Sequence, residues 1–290
     1  MKISLITTLP GLAENSRIET EVKALGHEFS LLDLKDFNFV IQSGKVVIPE
    51  IDKLDSDIVI IRGIFNSIKT ISVIMSDLRN RGVRVFDNNF LEHLYSIDKV
   101  TDLVKLSIAG IAVPKTAYVL DFKEYPRKAE KLGYPLIVKS TRMGKGASVF
   151  KIDTLEKLKR FISAAKKQGK KAKNFILQEF VDYRYDLRVL IIGEDIFVMR
   201  RIPKQGEFRA NFSLGGSVEL FDLDEDGKKL ALEALGAVGM SVGGVDILIT
   251  DEGKKYVLEV NHTAGFVGME RATGKNIGRM FVEHAIASAI

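Results

Sequence analysis

The chain has 290 residues, 46% hydrophobic and 28% charged, the balance of a soluble globular protein long enough for more than one core. With no cysteine it can form neither disulfides nor thiolate metal sites, and its four scattered histidines do not suggest zinc. The net charge of +5 is mild, the basic run from Lys166 to Lys173 lacks interleaved aromatics, and there is no long apolar run. Neither a nucleic-acid partner nor a membrane span is therefore expected.

The opening residues, MKISLITTLPGL, read as a first strand turning at Pro10-Gly11 rather than as a signal peptide, and a cytoplasmic protein is expected. Strand signals KISLIT, EFSLLDL, DIVIIRG and VRVFDN alternate with helical spacing over residues 14–26 and 67–82. That alternation predicts a small parallel α/β unit. No G-x-G-x-x-G follows the first strand, so dinucleotide binding is not expected. Residues 91–113 have helical spacing that ends at Gly110 and Pro114. Short strands AYVL, PLIVKS, ASVFKID and FILQEFV follow, separated by helices over 123–132 and 154–168. From residue 186 the pattern turns antiparallel. DLRVLIIG and IFVMRRIP form a hairpin closed by Gly193-Glu194-Asp195, and a helix covers 225–241. VGGVDILIT and KKYVLEVNHT form a second hairpin turned at Asp251-Glu252-Gly253, and a last helix spans about 274–289. Composition shifts near 90 and 185 divide the chain into segments 1–90, 91–185 and 186–290.

Asp246, Glu259 and Asn261 stand out in the second hairpin as polar residues within or just past core-type strands. Glu259 and Asn261 leave one face, and the hairpin can bring Asp246 across from them. Three convergent oxygen ligands suit a hard cation such as Mg²⁺. The competing reading is a structural ion pair between Glu259 and a nearby Lys or Arg. In PLIVKSTRMGKGASVFKI, Lys139 ends a buried strand, and Gly144, Lys145 and Gly146 form a loop that could cover phosphates. It is not a P-loop, and a plain hairpin turn would also explain it. In FILQEFV, Gln178 and Glu179 interrupt an apolar strand. Glu179, Phe180 and Val181 could offer a nucleotide base its edge, or simply mark a strand end. Asp186, Arg188, Arg200, Arg201, Arg209 and Asn211 fall within 26 residues. Bidentate arginines suit polyphosphate, with surface ion pairs as the alternative.

Together these segments resemble the ATP-grasp ligases, closely the RimK- and LysX-like group. The stretches that carry the resemblance are DKVTDLVKLSIAGIAVPKT, PLIVKSTRMGKGASV, ILQEFV, DLRVLIIGEDIFVMRRIPKQGEFRANFSLGG, GGVDILI and LEVNHTAGFVGMERATGKNIGRM, spanning residues 98–280. The resemblance implies an ATP-grasp fold, α/β with an α+β C-terminal part. A Rossmann-like pre-ATP-grasp domain would occupy 1–90, a central subdomain with the phosphate flap 91–185, and a C-terminal subdomain with the metal site 186–290. It implies an ATP- and Mg²⁺-dependent ligase, with Mn²⁺ as an alternative metal, that joins a carboxylate to an amine through an acyl phosphate.

Residue by residue, the resemblance places Lys99, Lys139, Gly144, Lys145 and Gly146 on the nucleotide phosphates. It places Gln178, Glu179, Phe180 and Val181 at the adenine and Asp186 near the ribose. Arg188, Arg209 and Asn211 resemble the phosphate and acyl-phosphate group, and Asp246, Glu259 and Asn261 the metal ligands. The substrates it implies are an amino acid, glutamate first, and a carboxylate on a protein, peptide or small molecule. Arg142, Lys145, Arg271 and Lys275 are candidate contacts for an acidic substrate. Two departures bear on substrate identity: Asn261-His262-Thr263-Ala264-Gly265 mixes LysX-like and RimK-like features, and Thr141-Arg142-Met143 is unusual in the flap. The alternatives are a LysX-like ligase acting on an acidic amino-group carrier protein and a non-catalytic ATP-binding regulatory module. A homo-oligomer is a further expectation from the resemblance.

Overall fold

A computed structural model describes residues 1–42, 45–65, 67–87, 98–141, 148–204 and 217–290. The expected flap residues Arg142, Met143, Gly144, Lys145 and Gly146 lie outside the described residues, as do Arg209 and Asn211.

The N-terminal sheet is parallel, built from β1 (Lys2–Thr7), β2 (Glu28–Asp33), β5 (Ile58–Ile61) and β6 (Arg84–Asp87) in the order β2-β1-β5-β6. Alternation sends Ile3, Leu5, Ile58, Ile60 and Phe86 to one face and Ile6, Val59, Ile61 and Val85 to the other. Helices α1 (Ala13–Ala24) and α3 (Ile68–Asn80) cover opposite faces. A short hairpin, β3 (Val40–Gln42) with β4 (Lys45–Val47), and one turn of helix, α2 (Pro49–Asp52), were not expected. Elements of three or four residues are too short to show a period.

Helix α4 (Lys99–Ile108) begins at Asp98, whose carboxylate accepts from the Val100 and Thr101 N–H groups. It leads into the antiparallel central sheet of β7 (Thr116–Ala117), β8 (Leu136–Ser140), β9 (Val149–Ile152) and β10 (Phe175–Glu179), ordered β7-β10-β8-β9. The expected AYVL strand contracts to Thr116–Ala117. Helices α5 (Tyr125–Leu132) and α6 (Leu155–Lys167) pack on Leu136, Val138, Phe175 and Leu177, one face of this sheet.

The C-terminal sheet is antiparallel, with β11 (Tyr185–Ile192), β12 (Asp195–Ile202), β13 (Ser217–Leu220), β14 (Val242–Ile249) and β15 (Lys255–Asn261) in the order β13-β12-β11-β14-β15. Its Leu187, Val189, Ile191, Val245 and Ile247 pack under α7 (Glu225–Ala237). Helix α7 stops four residues before the expected end at 241, as the chain turns through Gly239 at φ +80°. A separate short helix, α8 (Val267–Thr273), precedes α9 (Ile277–Ser288), divided from it by left-handed Gly274. Leu190, Ile192 and Val242 on the other face share one core with α1, α8, α9 and the N-terminal sheet. Among the described residues no helix is long and apolar enough to cross a membrane.

Strict alternation along β15 would put Val257 on the side of Glu259 and Asn261. The structure differs because the pairing shifts register between Asp246 and Ile247: Asp246 opposes Glu259, whereas Ile247 opposes Val257. This bulge inserts Leu258 and lets both Val257 and Val260 enter the core under α7, with Glu259 on the opposite face.

Candidate functional site

The candidate site lies on the face of the central sheet opposite α5 and α6 and on the face of the C-terminal sheet opposite α7, beyond the part of that face that Leu190, Ile192 and Val242 give to the shared core. On β8, Leu136 and Val138 enter the helix-packed core, so Ile137 and Lys139 project the other way. Across the ladder Ile176 opposes Lys139 and Gln178 opposes Ile137, so an apolar strip flanked by Lys139 and Gln178 results. Gln178 is buried, and its Nε2 donates to Thr116 Oγ1 at 2.8 Å. Glu179 is tied to the neighbouring segment: its N–H donates to the Lys115 carbonyl at 2.9 Å, and its Oε1 accepts from the Lys115 N–H at 2.7 Å. Phe180 lies past the strand with the Lys151 ammonium 3.7 Å from its ring centroid. Val181 also lies past the strand end.

On the C-terminal sheet, Asp186 and Arg188 alternate with the core residues Leu187 and Val189. Asp246 stands directly across from Arg188 on one side and Glu259 on the other. Arg188 grips Asp246 through two nitrogens, the Nη2 contact at 2.8 Å. Arg201 pairs with Asp186 and reaches Asp246 at 3.2 Å. Lys99, the first residue of α4, pairs with Glu259, and its N–H donates to the Thr141 carbonyl at 3.2 Å. The ion pair weighed for Glu259 from the sequence is thus present. Asn261 opposes Gly244, and its Oδ1 accepts from the Thr263 N–H at 3.0 Å. Arg200 leaves the opposite face, toward Glu219 and the rings of Tyr185 and Phe221, and does not join the cluster. Arg271 and Lys275 stand exposed on α8 and just after it.

Burial pulls the Lys139 ammonium down to about 8; Lys99 adds to that pull, and Glu259 and Asp246 oppose it. Burial acts to raise the Asp246 carboxyl, but Arg188 and Arg201 outweigh it and hold Asp246 below the ordinary carboxylate range. Glu259 is likewise held low, chiefly by Lys99 against the effect of burial. Asp186 goes the other way: burial lifts it and the Asp246 charge adds, against Arg201. Lys99, Lys139, Arg188 and Arg201 therefore face Asp186, Asp246 and Glu259, a balance that favours a polyanion. Among the described residues no cluster of three or more carboxylate or imidazole groups forms a metal cage. Two carboxylates and an amide oxygen make an open donor set, the kind that fits Mg²⁺ arriving with phosphate oxygens.

The family model for the RimK-like ATP-grasp domain matches residues 96–285. The chain belongs to the RimK-like ATP-grasp family. A probable alpha-L-glutamate ligase from Shewanella loihica is 30% identical over 300 residues, covering 98% of this chain and 94% of the relative. One from Pseudomonas fluorescens is 34% identical over 193 residues, which span 65% of this chain and 63% of that relative. Among solved structures, the RimK domain ATP-grasp protein of Sphaerobacter thermophilus has a TM-score of 0.72 at 17% identity, covering 98% of this chain and 99% of that one. The ATP-grasp ligase PsnB complexed with minimal precursor, Mg, and ADP has a TM-score of 0.70 at 19% identity, covering 99% and 96%. These likenesses show the ATP-grasp fold, and the family makes this RimK-like protein an ATP-grasp ligase.

The RimK-like site contains partners that sequence reasoning missed. His262, directly after Asn261, places Nε2 2.7 Å from Asp102 Oδ2, with both side chains nearly buried. Asp102 lies three residues after Lys99, so α4 holds β15 at Glu259 and at the residue after Asn261. The two ends of the His262–Asp102 contact are 160 positions apart, and no local pattern could pair them. Thr116 is hidden from the sequence for the same reason: its place beside Gln178 depends on how β7 meets β10.

Proposed function

We propose that this protein is an ATP- and Mg²⁺-dependent ligase that joins glutamate, through its amine, to a carboxylate of a protein, peptide or small molecule. The observation that carries the reading is the register that sets Asp246 between Arg188 and Glu259, on the face reached by Lys99 and Arg201. Asp246, Glu259 and Asn261 would hold Mg²⁺, which when bound neutralises and orients phosphate oxygens. Arg188 and Lys99 pair with two of the same groups, Asp246 and Glu259. With nucleotide present these cations are free to turn to its phosphates, so charge stays balanced in both states. Lys139 adds a further cation, and Ile137, Ile176 and Gln178 offer the base an apolar strip with one polar edge.

In the first step the acceptor carboxylate attacks the γ-phosphorus of ATP, and ADP leaves. In the second the amine attacks the resulting acyl phosphate, and inorganic phosphate departs. The side chains bind, align and neutralise; none acts as a nucleophile, in keeping with a chain that has no cysteine. The test is ADP release measured across a panel of amino acids and carboxylate acceptors, including acidic peptides, with Mg²⁺ present. L-Glutamate is expected to stimulate release, and Asp246→Asn to lower it by at least about 10²-fold. Tight ATP binding with no amine-stimulated release for any pair would support the regulatory module instead.

A second acceptor class, an acidic carrier protein, is favoured by the outer face of the central unit. Lys131 on α5, Lys159, Arg160 and Lys167 on α6, and Lys171 and Lys173 after it are all exposed, and among the described residues none forms a salt bridge. For that acceptor, added salt should raise the acceptor KM and leave the ATP KM nearly unchanged.

A further inference from the structure

We infer that Arg62 and Glu14, set on either side of the Ala264–Gly265 backbone, form the site that recognises the zwitterionic head of the amino-acid substrate. The carboxylate would go to Arg62 and the ammonium to Glu14. This deepens the ligase reading and rests on it.

Arg62 follows β5 at the carboxyl end of the parallel N-terminal sheet. It is 6% exposed. Its Nη2 donates to the Ala264 carbonyl at 2.9 Å, and its guanidinium carbon lies 6.0 Å from the centroid of the Phe266 ring. Its Nη1 is buried with no hydrogen-bond partner. Burial pulls the guanidinium down to about 10, and the charge opposing that pull is Glu14. Among the described residues no carboxylate comes within ion-pair distance of Arg62. A buried cation with a spare donor and no counter-ion is costly in a folded protein, and an anion supplied by a ligand would remove that cost.

The surroundings narrow the ligand. A cavity of about 10 Å³ beside Arg62 lies where the His262–Thr263–Ala264 loop meets the apolar side chains Leu190, Val242 and Phe281 of the shared core. It has room for roughly one water molecule or one carboxylate oxygen. Glu14 is half-buried in the first turn of α1, and its Oε1 lies 2.9 Å from where a side chain on residue 265 would begin. Gly265 therefore lets that carboxylate come up against the loop backbone, and a side chain there would push it away. The Arg62 guanidinium and the Glu14 carboxylate, close enough for one charge to act on the other, are together neutral. They repel a polyphosphate at one end and attract both charges of an α-amino acid. The loop that separates them starts three residues after Asn261, so an amine held there lies on the segment leading out of the proposed metal site.

The test is calorimetric binding to the full chain with Mg²⁺ and a non-hydrolysable ATP analogue. The titrants are a panel of L-amino acids, L-glutamate first, each with its α-carboxamide. Wild-type protein is expected to bind the acid about 10–100-fold more tightly than the amide, the range of one charge-assisted hydrogen-bonded contact. In Arg62→Met that preference should fall to near unity with nucleotide affinity unchanged. Glu14→Gln should weaken binding of the acid and the amide alike, since both carry the ammonium. Equal binding of acid and amide by wild-type protein, or no amino acid bound, would overturn the proposal. So would a preference that survives Arg62→Met, which would leave Arg62 as a strut to Ala264 with water in the cavity. The acid-to-amide comparison on wild-type protein stands even if a variant fails to fold. Amino-acid binding of this kind without ADP release in the ligase assay would reject the ligase reading and keep the site.

Discussion

Lys139 shows how burial and binding act in opposite directions on one residue. Its folded pKa is about 8, below the ordinary lysine value of about 10.4 that the unfolded chain would have. Between those two values the unfolded chain holds a proton that the folded chain lacks, so this group's contribution to stability rises with pH through that window. Below pH 8 the ligand-free protein carries the full cost of a buried charge. A polyphosphate beside the ammonium would lift its pKa, so nucleotide binding above pH 8 must take up a proton. ATP affinity is therefore expected to hold steady from pH 7 to 8 and to weaken above it, approaching tenfold per pH unit. Kd measured from pH 7 to 9.5 checks this. Lys139→Met should bind ATP more weakly, lose the pH dependence and gain stability near pH 7. A wild-type Kd flat across the window would remove Lys139 from the phosphate site. The sequence made this residue legible because a lysine at an apolar strand position is rare. It could not show the neighbours that set its pKa, since Lys99, Asp246 and Glu259 come from three other elements, α4, β14 and β15.

At the scale of the element, the β14–β15 hairpin sets the geometry of the proposed metal site. Gly243 and Gly244 are needed for close approach: a Cβ at 244 would lie 2.9 Å from the Ala264 side chain, 3.3 Å from Arg188 Cδ and 3.7 Å from Asn261 Cβ. Gly244→Val is expected to push Arg188 off Asp246 and to displace the loop after Asn261. Overpacking of this kind costs about 1–3 kcal/mol and should lower the melting temperature by several degrees. Ligase turnover should fall further than the stability loss explains. A variant with wild-type turnover would mean that the Arg188–Asp246 geometry is not needed for catalysis. Alternation and the Asp251-Glu252-Gly253 turn made the hairpin readable from sequence. The bulge at Leu258 was not readable, because Val257 and Val260 both satisfy an apolar pattern whichever face they take. Helix α8 escaped notice for a related reason: seven residues bounded by glycines at 265 and 274 give less than two turns of periodicity.

At the scale of the molecule, the cores determine which parts can move. The N-terminal sheet and the lower face of the C-terminal sheet share a single core through α1, α8 and α9, whereas the central sheet packs with α5 and α6 in a core of its own. Phe281 sits at the centre of the shared core, edge-on to Phe86 at 5.9 Å and stacked with Phe266 at 6.1 Å. Removing its ring should cost about 3–5 kcal/mol. Because Ile3, Ile60 and Val242 rest on that same core, hydrogen-exchange protection should fall together in β1, β5 and β14 of Phe281→Ala. Protection in β8 and β10 should stay close to wild type, since Val138 and Leu177 pack elsewhere. Such a split would identify the central unit as the part able to open and close over a nucleotide held against a fixed C-terminal face. Equal loss in all three sheets would mean that the molecule unfolds as one body and that nucleotide entry needs a more local opening.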